Sequence, residues 1–230
     1  MGKIVGLGGG DCFNEAQNIY EYIIRLSGKK NPKVIILPTA HSDEPDCCIE
    51  EAAFFKTKDC ETSYLRITKC SKEETKAAID GADIIYLSGG NLEILMNALR
   101  ESGADIALKD AFERGAVLCG SSSGMMCWFE EGYDDCGPEG SFMWIKCLGF
   151  LPYTACPHFE GVSWSSFENA VKGRALSGMA LENDCALVYI DGDYSVMSGS
   201  EGGRAYVFDK DKGHKKEIFG GAPKLDDDEI

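Results

Sequence analysis

The stretch with the clearest capacity for chemistry is Val117-Leu118-Cys119-Gly120-Ser121-Ser122-Ser123-Gly124-Met125-Met126. Apolar and small residues lead into Gly-x-Ser-x-Gly, with Gly120, Ser122 and Gly124 at its three set positions, and apolar residues at helical density follow. A buried strand turning sharply into a helix is written this way, which makes Ser122 a candidate nucleophile at a strained turn. The flanking glycines let the two backbones pass without a Cβ clash. The same turn puts the backbone N–H of Ser123 at a helix N-terminus, where it can bind a developing oxyanion. Serines here would also serve simply as helix caps, so the rest of the chain must supply a base.

The chain has three histidines. His214 stands in the charged turn Lys212-Gly213-His214-Lys215-Lys216, and His41 follows a strand in Thr39-Ala40-His41-Ser42-Asp43, where an exposed loop ring is expected. His158 ends the apolar approach Tyr153-Thr154-Ala155-Cys156-Pro157, whose proline fixes the backbone just before the ring. His158 is therefore the candidate base. A carboxylate should orient it and stabilise the imidazolium. The acids between Ser122 and His158 are Glu130, Glu131, Asp134, Asp135 and Glu139. Glu130 and Glu131 are expected to end the helix after the elbow, whereas Asp134 and Asp135 fall in the loop after Gly132; Asp135 is selected, with Asp134 second.

The elements that must hold these groups alternate. Lys3 to Leu7 reads as a buried strand, Lys33 to Leu37 as a second, Glu61 to Leu65 as a third and Asp83 to Leu87 as a fourth, and the elbow strand starts at Ala116. Helices are expected over Glu15 to Leu26 with Asn14 as cap, Ile49 to Lys58, a capping box Ser71-x-x-Glu74 running to Asp80, a helix with Leu92, Leu95, Met96 and Leu99 on one side, and Ile106 to Arg114. This rhythm specifies an α/β fold, a doubly wound three-layer sandwich with a mostly parallel sheet. Ala186 to Ile190, Tyr194 to Met197 and Ala205 to Phe208, joined by Asp-Gly turns, read as an antiparallel C-terminal edge. After the fourth strand comes Ser88-Gly89-Gly90-Asn91, where bare backbone can approach a bound carbonyl and give a second oxyanion donor, or simply turn tightly. Gly8-Gly9-Gly10 after the first strand fails the Gly-x-Gly-x-x-Gly pattern because Phe13 holds the last position, so no nucleotide cofactor is expected.

Composition narrows the partners. At 230 residues, 44% hydrophobic, the chain fits one domain, residues 1–222, followed by an acidic tail, 223–230. Its net charge of −15, from 38 acidic and 23 basic residues, argues against nucleic acid and anionic membrane surfaces. Eleven cysteines with no export signal read as free thiols in a cytoplasmic protein, and no Cys/His spacing suggests a metal. No cofactor is expected, and a homodimer is left open.

Together, Leu87-Ser88-Gly89-Gly90-Asn91, Gly120-Ser121-Ser122-Ser123-Gly124 and Cys156-Pro157-His158-Phe159 resemble, in order and separation, the peptidase E (aspartyl dipeptidase) and cyanophycinase family of serine peptidases. The resemblance runs from about Lys3 to Phe208, and the family's fold is similar to that of class I glutamine amidotransferases, with serine replacing cysteine at the elbow. It implies Ser122 as nucleophile, His158 as base, an aspartate between them, and the N–H groups of Gly90 and Ser123 as oxyanion hole. Gly89, Asn91 and Glu160 are assigned to substrate contact. Two features depart from the family: Ser123 and Met125 replace two alanines of its usual elbow, and Glu160 follows the histidine motif, with Lys172 and Arg174 coming only later, on an expected helix. The expected activity is a serine dipeptidase or exopeptidase acting on small peptides through an acyl-enzyme. An amidase or acyl hydrolase of non-peptide substrates, or a non-catalytic amidotransferase-like binding module, would use the same motifs.

Overall fold

Strand and helix alternate through the first half of the chain because each apolar segment must bury both faces of a strand or one face of a helix. The computed structural model describes residues 2–210 and 215–218. In order, β1 (Lys3–Leu7), α1 (Gln17–Leu26), β2 (Lys33–Leu37), α2 (Ile49–Thr57), β3 (Glu61–Tyr64), α3 (Lys72–Asp80), β4 (Ile84–Leu87), α4 (Leu92–Ser102), α5 (Ala104–Glu113) and β5 (Val117–Ser121) build the first layers. The elbow helix α6 (Ser123–Met126) follows, then β6 (Phe129–Asp134), β7 (Met143–Lys146), β8 (Leu151–Cys156), α7 (Phe167–Ala170), β9 (Gly178–Leu181), β10 (Cys185–Ile190), β11 (Asp193–Ser198), β12 (Ala205–Phe208) and β13 (Lys215–Ile218).

The strands form a seven-stranded sheet ordered β11-β10-β1-β5-β4-β2-β3 and a six-stranded sheet ordered β13-β12-β9-β8-β6-β7. In the first, β1, β5, β4, β2 and β3 are parallel, and β10 and β11 add antiparallel to the β1 edge. Alternate residues serve opposite faces. Val5, Val34, Ile36 and Tyr86 pack with Ile19, Ile23, Phe54 and Phe55 of α1 and α2. Ile4, Ile35, Leu37 and Ile85 pack with Ile79, Leu95, Leu99 and Leu108 of α3, α4 and α5. This is the doubly wound sandwich of the sequence reading.

The second sheet is the larger surprise. Phe129, Leu151, Ala155, Met179 and Leu181 join the core of the first sheet on one side. Tyr133, Cys156, Phe159, Phe167 and Phe208 form a separate aromatic core on the other. The elbow helix is only four residues long, because Met125 to Phe129 are buried all round and the chain must leave helix to enter this sheet. Glu130 and Glu131 therefore lie on β6 rather than at a helix end. Likewise β12 pairs with β9 in the second sheet, not with the C-terminal edge of the first.

Smaller corrections share a local cause. Asn14 does not cap α1, because Asp11 accepts from Phe13 N–H and Asn14 Nδ2 in a turn of its own and the helix begins at Gln17. Arg174 lies beyond α7, paired with Glu131 and stacked 4.3 Å from the Trp144 ring centre. Lys172 also follows α7 and donates to Asn169. The expected boundary at 222, the acidic tail and His214 lie outside the described residues. Among the described residues no helix is long and apolar enough to cross a membrane.

The elbow sets the tightest packing demand. A Cβ on Gly124 would lie 2.0 Å from the Leu87 carbonyl oxygen and 2.6 Å from its carbon, both backbone atoms of β4. Gly124→Ala is therefore expected to destabilise the protein by about 2 kcal/mol or more, through overpacking that no side chain can relieve. Urea unfolding monitored by circular dichroism checks this, with the midpoint falling in Gly124→Ala.

Candidate active site

The carboxyl ends of three adjacent parallel strands converge on one point. β1 ends in Gly8-Gly9-Gly10, β4 in Ser88-Gly89-Gly90, and β5, between them, in Ser122. Ligand sites of open α/β sheets form in this position. Ser122 has φ 55° and ψ −117°, a backbone that a residue with a Cβ adopts only under strain. It is held there by Ser122 N–H donating to the Leu7 carbonyl at 3.0 Å and by its own carbonyl accepting from Met125 and Met126 N–H at 2.9 and 3.0 Å.

His158 reaches this serine from the second sheet. It stands two residues past the end of β8, after Pro157, also with positive φ (52°), and its N–H donates to the Gly8 carbonyl at 3.2 Å. Its ring bridges two groups: Nε2 lies 2.9 Å from Ser122 Oγ, and Nδ1 lies 2.6 Å from Asn183 Oδ1. An amide oxygen only accepts, so Nδ1 carries the proton and Nε2 presents a lone pair to the serine hydroxyl. Ring and amide fit because Gly9 is bare. A Cβ there would lie 1.9 Å from Asn183 Oδ1 and 2.8 Å from His158 Cε1 and Nδ1. The triple glycine thus has a close-packing reason.

Asp135 does not reach His158. β6 continues as a strand to Asp134, paired with Met143 of β7, so the segment is not a loop free to turn back. Asp135 is exposed on a cavity of about 590 Å³ lined also by His41, Gly90, Asn91 and Cys136. Asp134 is buried beneath the loop after β4, where its Oδ1 accepts from Cys136 N–H at 3.0 Å; burial pushes its carboxyl above the usual range. Asn183 is not an acid and lies after His158 in sequence, beyond the interval from Ser122 that holds the candidate carboxylates. Its sequence signal is the polar turn Glu182-Asn183-Asp184 between two apolar strand segments.

The other expected site residues lie around the serine. The loop after β4 touches it: a Cβ on Gly89 would be 3.2 Å from Ser122 Cβ. Gly90 has φ +134°, and a Cβ there would strike the Ala40 carbonyl and the His41 ring at 2.7 and 2.6 Å, so only glycine fits. Ser123 opens α6, where first-turn N–H groups lack helical partners. The Asn91 side chain caps α4, accepting from Ile94 N–H at 2.9 Å. Glu160 Oε2 accepts from Asn183 N–H at 2.9 Å, tying down the residue that holds the imidazole. Among the described residues no group of three or more His, Cys, Asp or Glu side chains is arranged to hold a metal ion.

This arrangement, a strained serine beside an oriented imidazole, coincides with a family match. The model for Peptidase family S51 covers residues 4–197. The chain belongs to peptidase family S51. It is 33% identical over 213 residues to YgaJ, an uncharacterized peptidase of Bacillus subtilis (strain 168), covering 90% of this chain and 91% of that one. Two solved structures share its fold at 16% identity. One is a peptidase from an acI-B1 actinobacterium, with a TM-score of 0.71 over 96% of each chain. The other is a candidate peptidase E protein from Listeria monocytogenes EGD-e, with a TM-score of 0.67 over 87% of this chain and 100% of that one. The protein is a serine-type peptidase of the S51 family.

In this S51 peptidase the His158–Asn183 contact depends on the bare backbone of Gly9. Gly9→Ala is expected to separate ring from amide and to remove the low-field Nδ1 proton resonance that the short contact gives in the unmodified protein. Proton NMR of both forms checks it.

Proposed function

We propose that this protein hydrolyses small peptides through an acyl-enzyme on Ser122, with His158 as general base and then general acid. The observation that carries the reading is the 2.9 Å contact between His158 Nε2 and Ser122 Oγ, with the ring's other nitrogen already committed to Asn183. In the proposed cycle His158 takes the hydroxyl proton as Ser122 attacks the scissile carbonyl. It returns the proton to the leaving amine, and water then resolves the ester. The backbone N–H groups of Gly90 and Ser123 are the proposed oxyanion donors, preorganised at the loop after β4 and the start of α6. Asn183, and not Asp135, takes the orienting role in this reading. It fixes the tautomer by accepting from Nδ1–H, and lacks a charge to offset the imidazolium.

The proposed substrates are small peptides with a free amino terminus. A cavity of about 780 Å³ opens beside His158, lined by Glu15, Glu160, Glu182, Asp184, Glu201 and Arg204 among others. Arg204, its cation, is paired with Glu182 at 3.2 Å. Such a wall attracts an ammonium group and repels a carboxylate. Eleven free cysteines support a reducing, cytoplasmic setting.

Three experiments test this. A fluorophosphonate with mass mapping is expected to modify Ser122 and neither Ser121 nor Ser123. Ser122→Ala and His158→Ala should each abolish turnover, with the double variant hardly worse, because nucleophile and base act as one unit. Asn183→Ala should lower kcat by about 100-fold, as loss of an orienting partner. Asp135→Asn should stay within about threefold, as expected for a residue away from the reacting atoms. With a panel of Xaa-Leu dipeptides, neutral and basic first residues are expected to exceed Asp-Leu, and Glu160→Gln should raise KM more than it lowers kcat. Clear preference for Asp-Leu would sink the charge argument.

A further inference from the structure

The side chain that follows the nucleophile has a role of its own. Ser123 is fully buried, and its Oγ lies 2.6 Å from the Gly90 carbonyl oxygen and 3.3 Å from Asp134 Oδ2. A hydroxyl has one proton, and the shorter contact takes it, so Ser123 donates to Gly90. The other end of the same peptide unit is tied as well: Asn91 N–H donates to the Ala40 carbonyl at 3.0 Å. The Gly90–Asn91 peptide plane is thus pinned at its oxygen and at its hydrogen. Glycine's own sterics would leave that plane free to rotate. The Gly90 N–H belongs to the preceding Gly89–Gly90 unit, which joins the pinned plane at the Gly90 Cα and lies against Ser122, so release of the pinned plane would let that Cα, and the N–H it carries, shift relative to the nucleophile.

We propose that the Ser123 hydroxyl is a positioning group for the oxyanion hole, locking the Gly90–Asn91 peptide and with it the Gly90 Cα, so that the N–H of Gly90 on the adjoining unit stays aimed at the space before Ser122 Oγ. The proposal rests on Ser122 being the nucleophile. It gives Ser123 two separable functions, a backbone donor to the oxyanion and a side-chain clamp on the second donor. Asp134 Oδ2 is the competing acceptor, at the longer distance, while its other oxygen accepts from Cys136 N–H.

The test compares Ser123→Ala and Ser123→Thr with the unmodified protein, using the dipeptide it turns over best and a dipeptidyl aldehyde that adds to the active serine as a tetrahedral adduct. Loss of one oxyanion donor costs about 10²–10³ in kcat, so loss of its clamp should cost about 10- to 100-fold. Ser123→Ala is expected to lose kcat by that factor with KM within threefold, and to lose aldehyde affinity in parallel. Ser123→Thr, which keeps the hydroxyl, should regain at least half of that loss on a logarithmic scale. A kcat within threefold of unmodified in Ser123→Ala, or a kcat loss with unchanged aldehyde affinity, overturns the proposal. So does a loss that folded Ser123→Thr fails to regain. Turnover persisting in Ser122→Ala would overturn the nucleophile reading and this one together, whereas an inactive Ser122→Ala beside a fully active Ser123→Ala overturns the clamp alone.

Discussion

Everything at the site depends on a strained backbone at Ser122 being kept where it is. A serine at φ 55° and ψ −117° would relax if its neighbours allowed it. They do not, because its N–H is bonded to β1, its carbonyl is bonded into α6, and the glycine at 124 lies against the β4 backbone. The strain is distributed into the centre of a parallel sheet with buried faces, where movement of one strand would disturb both cores.

The second sheet exists in functional terms to bring the other half of the site to that point. His158 follows β8 and Asn183 follows β9, neighbouring parallel strands, so their relative position is set by ladder register rather than by loop conformation. Two contacts then dock this sheet's loops on the first: His158 N–H to the Gly8 carbonyl and Asp184 N–H to the Gly9 carbonyl. The glycine loop after β1 is the seam between the halves.

An amide in place of a carboxylate next to the imidazole changes the electrostatics of that seam. Asn183 accepts a hydrogen bond from the ring but contributes no negative charge, so a protonated His158 is not held by an adjacent ion pair. The surrounding carboxylates supply negative potential at longer range instead: Glu160 and Glu182 line the adjoining cavity, and Glu160 bonds the backbone of Asn183 itself. In the proposed mechanism, orientation and charge, joined in one residue of an Asp-based triad, are divided between Asn183 and the cavity carboxylates.

How much of this was legible in sequence follows from which interactions are local. Strand and helix periodicity, the Gly-x-Ser-x-Gly turn and the Gly-Gly after β4 are encoded in adjacent residues, so the first sheet, the elbow at Ser122 and the loop beside it could be read directly. His158 could be read because Pro157 and an apolar approach mark it among only three histidines. Asn183 could not, since nothing near position 183 refers to position 158; the pairing arises from β8 and β9 lying side by side, a long-range fact of register. Asp134 and Asp135 misled for the same reason: their nearness in sequence to Ser122 implied nearness in space, until β6 carried them along a strand to the other side of the loop after β4. The residue types at the elbow and the histidine were set by local chemistry, but the partner of the imidazole was decided only when two sheets packed, because hydrogen bonds across 25 residues of chain are chosen by tertiary geometry and not by spacing.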